Sequence, residues 1–75
     1  MTEEQKQFAY TIAIKLGDMP ALSLYEDFVR RIPREILEEL LAKTLSIPQE
    51  NIKRTRGALF TFLVKKHAST FYSRY

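Results

Sequence analysis

Lys53, Arg54 and Arg56 fall within one four-residue stretch, with Thr55 between them and Gly57 directly after. Three cations, a hydroxyl and a residue with no side chain are the ingredients of a phosphate contact. The setting adds to the case, because the stretch leads into a run with helical periodicity. A helix N-terminus carries partial positive charge and unpaired N–H groups, so each cation there is unfavourable by roughly 0.3–1 kcal/mol. An anion held jointly by those N–H groups and the three side chains would remove the conflict. Thr55 suits either the helix N-cap or a donor to the phosphate, and the alternative to an anion site is a solvated basic turn with Gly57 tolerated for packing. Lys65 and Lys66 lie two to three turns further on, with Thr61 and Ser69 beside Lys65 on the polar face. Such a helix either follows a phosphate backbone or presents an ordinary soluble face. Lys53, Arg54, Thr55, Arg56, Gly57, Lys65 and Lys66 are therefore the candidate nucleic-acid-binding residues. About three to five phosphate contacts would make log affinity for duplex DNA fall with log salt at a slope of roughly −3 to −4.5.

Other chemistry is poorly supplied. His67 falls between Leu63 and Phe71 on an apolar line, the place of a boundary or core histidine making one hydrogen bond; a pH switch or a catalytic role is the alternative. Phe71, Tyr72 and Tyr75 crowd the C-terminus around Arg74. They suit stacking on unpaired bases or a dimer patch, but docking of the helix end onto the first helix is the expectation. Glu35, Glu38 and Glu39 form an exposed helical row rather than a paired acid and base. No G-x-S-x-G, P-loop or H-E-x-x-H occurs. A strand-cleaving set of Tyr72, Arg54 and His67 can be written down, but a chain of 75 residues is too small to build that site around it. With no cysteine and one histidine, thiolate sites and multi-histidine metal sites are excluded. The expectation is a protein that is not an enzyme and needs no cofactor or metal.

Charge is distributed unevenly. Residues 1–50 hold six Lys/Arg and nine Asp/Glu, whereas residues 51–75 hold six Lys/Arg and no acid. Asymmetry of this kind points to a polyanionic partner or a basic tail. The basic segment is interleaved with Leu59, Phe60, Phe62, Leu63 and Val64, so it should fold. Apolar runs stop at three residues, far short of the 18 or so a membrane helix needs. The N-terminal Met1-Thr2-Glu3-Glu4-Gln5-Lys6 does not resemble a signal peptide, and a cytoplasmic protein is expected.

Four helices are expected to position these groups within a single domain, residues 1–75. The first runs from about Thr2 to Leu16, with Phe8, Ile12 and Leu16 on one face beside Ala9 and Ala13, Thr2 as cap and Gly17 as terminator. The second covers Ser23 to Arg31, with Ser23 and Glu26 as a capping box and Leu24, Tyr25, Phe28 and Val29 as its apolar face. The third runs from Pro33, as first helical residue, to about Leu45. Its stripe is Ile36, Leu37, Leu40, Leu41 and Leu45, and Glu39 and Lys43 suit an (i, i+4) pair. A connector follows in which Ile47 and Ile52 should pin the chain to the core and Pro48 should start a helical turn. The fourth helix runs from near Thr55 to about Ser73, burying the lines Leu59–Leu63–His67–Phe71 and Phe60–Val64–Ala68–Tyr72. No alternating segment or hairpin signal competes. The fold class is all-α, a small four-helix bundle.

From Leu24 to His67, and above all in Ile52-Lys53-Arg54-Thr55-Arg56-Gly57-Ala58-Leu59-Phe60 and the following Phe62-Leu63-Val64-Lys65-Lys66-His67, the chain resembles small helical modules at the ends of replication and mobile-element proteins. The resemblance implies a module that binds DNA or a replication partner. Helicase-loader families of this kind carry an aromatic motif ending in tryptophan; this chain has no tryptophan, and no residue role is carried over. The functional expectation is a nucleic-acid-binding or nucleic-acid-associated helical module contacting phosphates through its fourth helix. The alternative is a protein-interaction module, either a homodimer or an adaptor for an acidic partner. A membrane partner is not expected.

Overall fold

The computed structural model describes residues 1–72, and their side chains as far as Ala68. Helix α1, Glu3–Leu16, opens on a reciprocal capping box. The Gln5 N–H donates to Thr2 Oγ1 at 3.1 Å, and the Thr2 N–H donates to Gln5 Oε1 at 2.9 Å. Phe8, Ala9, Ile12, Ala13 and Leu16 are all buried, the face that the four-residue spacing predicts. Gly17 stops the helix in the left-handed conformation, φ 64° and ψ 36°. Its N–H reaches the Ile14 carbonyl at 3.0 Å and the Asp18 N–H reaches that of Ala13 at 2.9 Å. These are the paired bonds of a Schellman motif, and they fix where Asp18 leaves α1.

A 3₁₀ turn, Met19–Ala21, runs directly into α2, Leu22–Arg31. The expected Ser23 capping box does not form: Ala21 is the N-cap, with no side-chain bond. The Leu22 N–H is already used by the Met19 carbonyl, so the backbone enters the helix through the turn and leaves Ser23 exposed within the first helical turn. Tyr25, Phe28 and Val29 are buried, as is Ile32 just beyond the helix end.

Helix α3 is Arg34–Ser46, and Pro33 is its N-cap rather than its first residue, with an extended ψ of 142°. The Pro33 carbonyl accepts from the Ile36 and Leu37 N–H groups at 3.1 and 3.2 Å. The buried line is Leu37, Leu41 and Thr44, while Leu45 is 37% exposed. Helical spacing of four and three selects Thr44, and its hydroxyl makes the choice affordable by donating to the Leu40 carbonyl at 2.8 Å. Among the described residues, the ion pair on this helix is Arg34–Glu38 at 3.1 Å, not Glu39–Lys43. The Arg34 guanidinium also lies 4.4 Å from the centroid of the Phe8 ring, tying α3 to α1.

Pro48 precedes a second 3₁₀ turn, Gln49–Asn51, and α4 follows as Arg56–Tyr72. Its core line is Gly57, Phe60 and Val64; Leu59, Leu63 and His67 are only half-buried along the edge. Expectations for Phe71, Tyr72, Ser73 and Tyr75 as packing or docking residues lie outside the described side chains. Helix α1 packs mainly on α2 and α3 on α4, and α1 also meets α4. Tyr25, Phe28 and Phe60 join the layers, with ring centroids 6.3, 5.9 and 6.4 Å apart at steep angles. The result is a small all-α four-helix bundle, without strands among the described residues. Its 20 Å short dimension matches two layers of helices, each about 10 Å across.

Candidate nucleic-acid interface

The start of α4 shows how the fold handles the basic stretch. Thr55 is the N-cap: its Oγ1 accepts from the Ala58 N–H at 3.0 Å, and its carbonyl accepts from the Leu59 N–H at 3.0 Å. Arg56 was expected to face an anion at this helix start, and it points elsewhere. Its Nη1 donates to the Thr44 carbonyl at 2.8 Å, and the side chain is half-buried. Thr44 lies in the last turn of α3, where the negative end of a helix favours a cation. Arg56 therefore completes α3 instead of opposing the dipole of α4.

Gly57 is buried, and the reason is a specific neighbour. A Cβ here would collide with the Asp18 carboxylate and come within 2.8 Å of the Tyr25 hydroxyl. That hydroxyl donates to Asp18 Oδ2 at 2.9 Å. The carboxylate thus stands beside the first turn of α4, in the place where a bound anion was expected. The positive end of the helix meets an anion from its own chain. Burial first, then the hydrogen bond to Asp18 and its charge, push the Tyr25 hydroxyl well above the ordinary tyrosine range, with a hydrogen bond to Thr61 acting the other way. Tyr25 is held as a neutral donor, and the Asp18–Tyr25–Gly57 node joins the end of α1 to α2 and α4.

Reasoning from sequence missed this node. Asp18 reads as a turn residue and Tyr25 as ordinary core. The available signal was Gly57, because glycine inside a helix costs about 1 kcal/mol relative to alanine and some neighbour must use the space it leaves.

The remaining candidates gather on the outward side of α4. Lys53, Arg54, Lys65 and Lys66 are exposed, and Phe62 lies among them with 59% of its surface accessible. Ile47 and Ile52 do not join the core cluster; both are half-buried. With Leu59 and Phe62 they line a surface depression of about 430 Å³, edged by Lys53 and Arg54. The connector therefore lies along the outward side of the first turns of α4, which explains why its isoleucines miss the core. A neighbouring depression of about 410 Å³ brings Arg54 and Lys65 together with Thr61, Phe62 and Asp18. Arg54 and Phe62 belong to both.

The other arginines neither extend this surface nor shield it. Arg30 and Arg31 pair with Asp27 at 3.3 and 3.1 Å, and Arg34 pairs with Glu38. All three line grooves beside α1. Glu35, Glu38 and Glu39 are exposed along α3, and His67 is half-buried at the core boundary. Among the described residues no group of three or more His, Cys, Asp or Glu is placed to hold a metal ion, and no helix is long and apolar enough to cross a membrane. Comparison with protein-family models, curated proteins and solved structures returned no match.

Proposed function

We propose that this chain is a nucleic-acid-binding module, acting in the cytoplasm, that holds phosphates with Lys53, Arg54, Lys65 and Lys66 on the outward face of α4. The observation that carries the reading is the grouping of exposed Lys53, Arg54 and Lys65 around two adjoining depressions, with Lys66 exposed one helical turn beyond Phe62. They belong to a stretch, residues 51–75, that contains no acidic residue. Thr55, Arg56 and Gly57 serve the same surface indirectly, by capping and seating the helix that presents it. The connector between α3 and α4 spans residues 47–55, longer than the three or four residues of a helix-turn-helix. Backbone contact therefore fits better than reading of base edges in the major groove. The resemblance of residues 52–67 to modules of replication and mobile-element proteins agrees with a binding role rather than an enzymatic one.

The test is a salt titration of binding to duplex and single-stranded oligonucleotides. Four neutralised phosphates give log–log slopes of about −3.6 on duplex DNA and about −2.8 on single strands. Absence of binding even at low salt refutes the proposal.

A second reading, a protein-interaction module, draws on a different surface. Tyr10 and Ile14 are one turn apart on α1 and 51% and 53% exposed. Sedimentation as a monomer at every concentration would count against a homodimer through that pair.

A further inference from the structure

Phe62 is more than phosphate binding requires. It projects from the polar side of α4, 59% exposed, where a soluble helix has no need of an aromatic ring. Single exposed apolar residues are common, but this one is not isolated. It borders the depression lined by Ile47, Ile52 and Leu59, and Lys53, Arg54 and Lys65 line the two depressions that Phe62 shares. A sequence-tolerant contact with unpaired bases needs the same two components: an aromatic platform for a base, and a positively charged surface that tracks the backbone. A duplex offers phosphates to such a face but keeps its bases stacked inside, leaving Phe62 idle. The cations bear on the choice of partner too. Residues 51–75 carry no acid, which complements a uniformly anionic strand better than a protein surface of mixed charge. Asp18 beside Arg54 and Lys65 leaves the Lys53 and Arg54 edge as the more electropositive side of the platform.

We infer that this face takes single-stranded nucleic acid, with a base stacked on Phe62 and the flanking phosphates held by Lys53, Arg54, Lys65 and Lys66. The inference rests on the proposed function and narrows it to a class of ligand.

Fluorescence anisotropy with the full chain tests it, using an oligothymidylate, a duplex of equal length and an abasic strand of equal length. Oligothymidylate should bind more tightly than either of the others. Phe62→Ala should weaken that binding by about 5- to 150-fold, the range produced by removing a stacking aromatic. It should leave duplex binding and the salt slope unchanged, while Phe62→Tyr keeps the wild-type affinity. An unchanged circular dichroism melt shows that Phe62→Ala remains folded. If Phe62→Ala binds oligothymidylate as wild type does, with the salt slope intact, stacking is overturned and the phosphate interface stands. If the wild type binds none of the three, or binds only an acidic peptide, both the inference and the proposed function fall.

Discussion

Phe60 and Phe62 are two residues apart on α4, and their surroundings have little in common. Phe60 is fully buried against Tyr25 and Phe28, whereas Phe62 is 59% exposed on the side that carries Lys65 and Lys66. A helix advances about 100° per residue, so a two-residue step carries a side chain to nearly the opposite face. The inward face of α4 is narrow: Gly57, Phe60 and Val64. It holds the molecule together, and the outward face is the one proposed to bind. Stability and binding should accordingly respond to different substitutions.

The largest contrast lies in the two phenylalanines themselves. Phe60→Ala should cost about 3–5 kcal/mol, close to the roughly 3–5 kcal/mol that a core of this size supplies in total. The variant should be unfolded by circular dichroism at ambient temperature. Phe62→Ala should stay within about 0.5 kcal/mol of wild type, and a collapse of that variant would break the division between the faces.

Smaller losses are expected from two residues that seat α4. Arg56→Ala removes the bond to the Thr44 carbonyl and should cost about 1.5–3 kcal/mol in urea denaturation, the range for a hydrogen bond to a charged group. Gly57→Ala reverses the usual rule. Helix propensity alone would stabilise it by about 1 kcal/mol, yet its Cβ meets Asp18 and the Tyr25 hydroxyl. A net loss of about 1–3 kcal/mol is expected from overpacking, and a stabilised variant would contradict the Asp18–Tyr25–Gly57 node.

The same node has a pH signature. Tyr25 is held neutral in the fold, while in the unfolded chain a tyrosine ionises near pH 10. Its contribution to stability is therefore complete below about pH 10 and is lost as pH rises above that value. Urea midpoints should fall above about pH 10 in the wild type, and less steeply in Tyr25→Phe. Equal slopes would show that the buried hydroxyl is not a source of the fall.

The smallest effect on stability should come from Lys65→Ala, within about 0.5 kcal/mol. Its effect appears in binding instead, as a salt slope on single strands shallower by about 0.7. Arg56→Ala should leave that slope unchanged wherever it remains folded.

Much of the fold is legible in the sequence, and the exceptions have physical reasons. Phe8, Ile12 and Leu16 at intervals of four, with Gly17 behind them, predict α1 and its terminator, because cap and periodicity agree. Local preference places Pro33 and Ser23 at helix starts. Pro33 is there, as the N-cap of α3 rather than its first residue, whereas the 3₁₀ turn before α2 moves that helix's start ahead of Ser23, to Leu22. Leu45 was expected inside, but the register of Leu37 and Leu41 buries Thr44 instead, since a threonine hydroxyl can bond within its own helix. At the candidate site, the positions of Lys53, Arg54, Lys65 and Lys66 mark a basic segment running into the fourth helix. The destinations of Arg56 and Gly57 are not legible there. Arg56 bonds Thr44, twelve positions earlier in the chain, and Asp18 is more distant still from the glycine it crowds. Contacts between such separated residues leave no periodic trace. The crowding of cations at the start of α4 is relieved in part by Arg56 turning to Thr44, while the Asp18 carboxylate lies beside Gly57.

The division of α4 into a stabilising face and a binding face is tested most directly by mapping amide chemical shifts as oligothymidylate is titrated into isotopically labelled protein. The account predicts shifts at Lys53, Arg54, Ala58, Leu59, Phe62, Lys65 and Lys66, with Arg30, Arg31 and the outward residues of α1 unmoved. Shifts centred on Arg30, Arg31 and Arg34, or none at low salt, would contradict it.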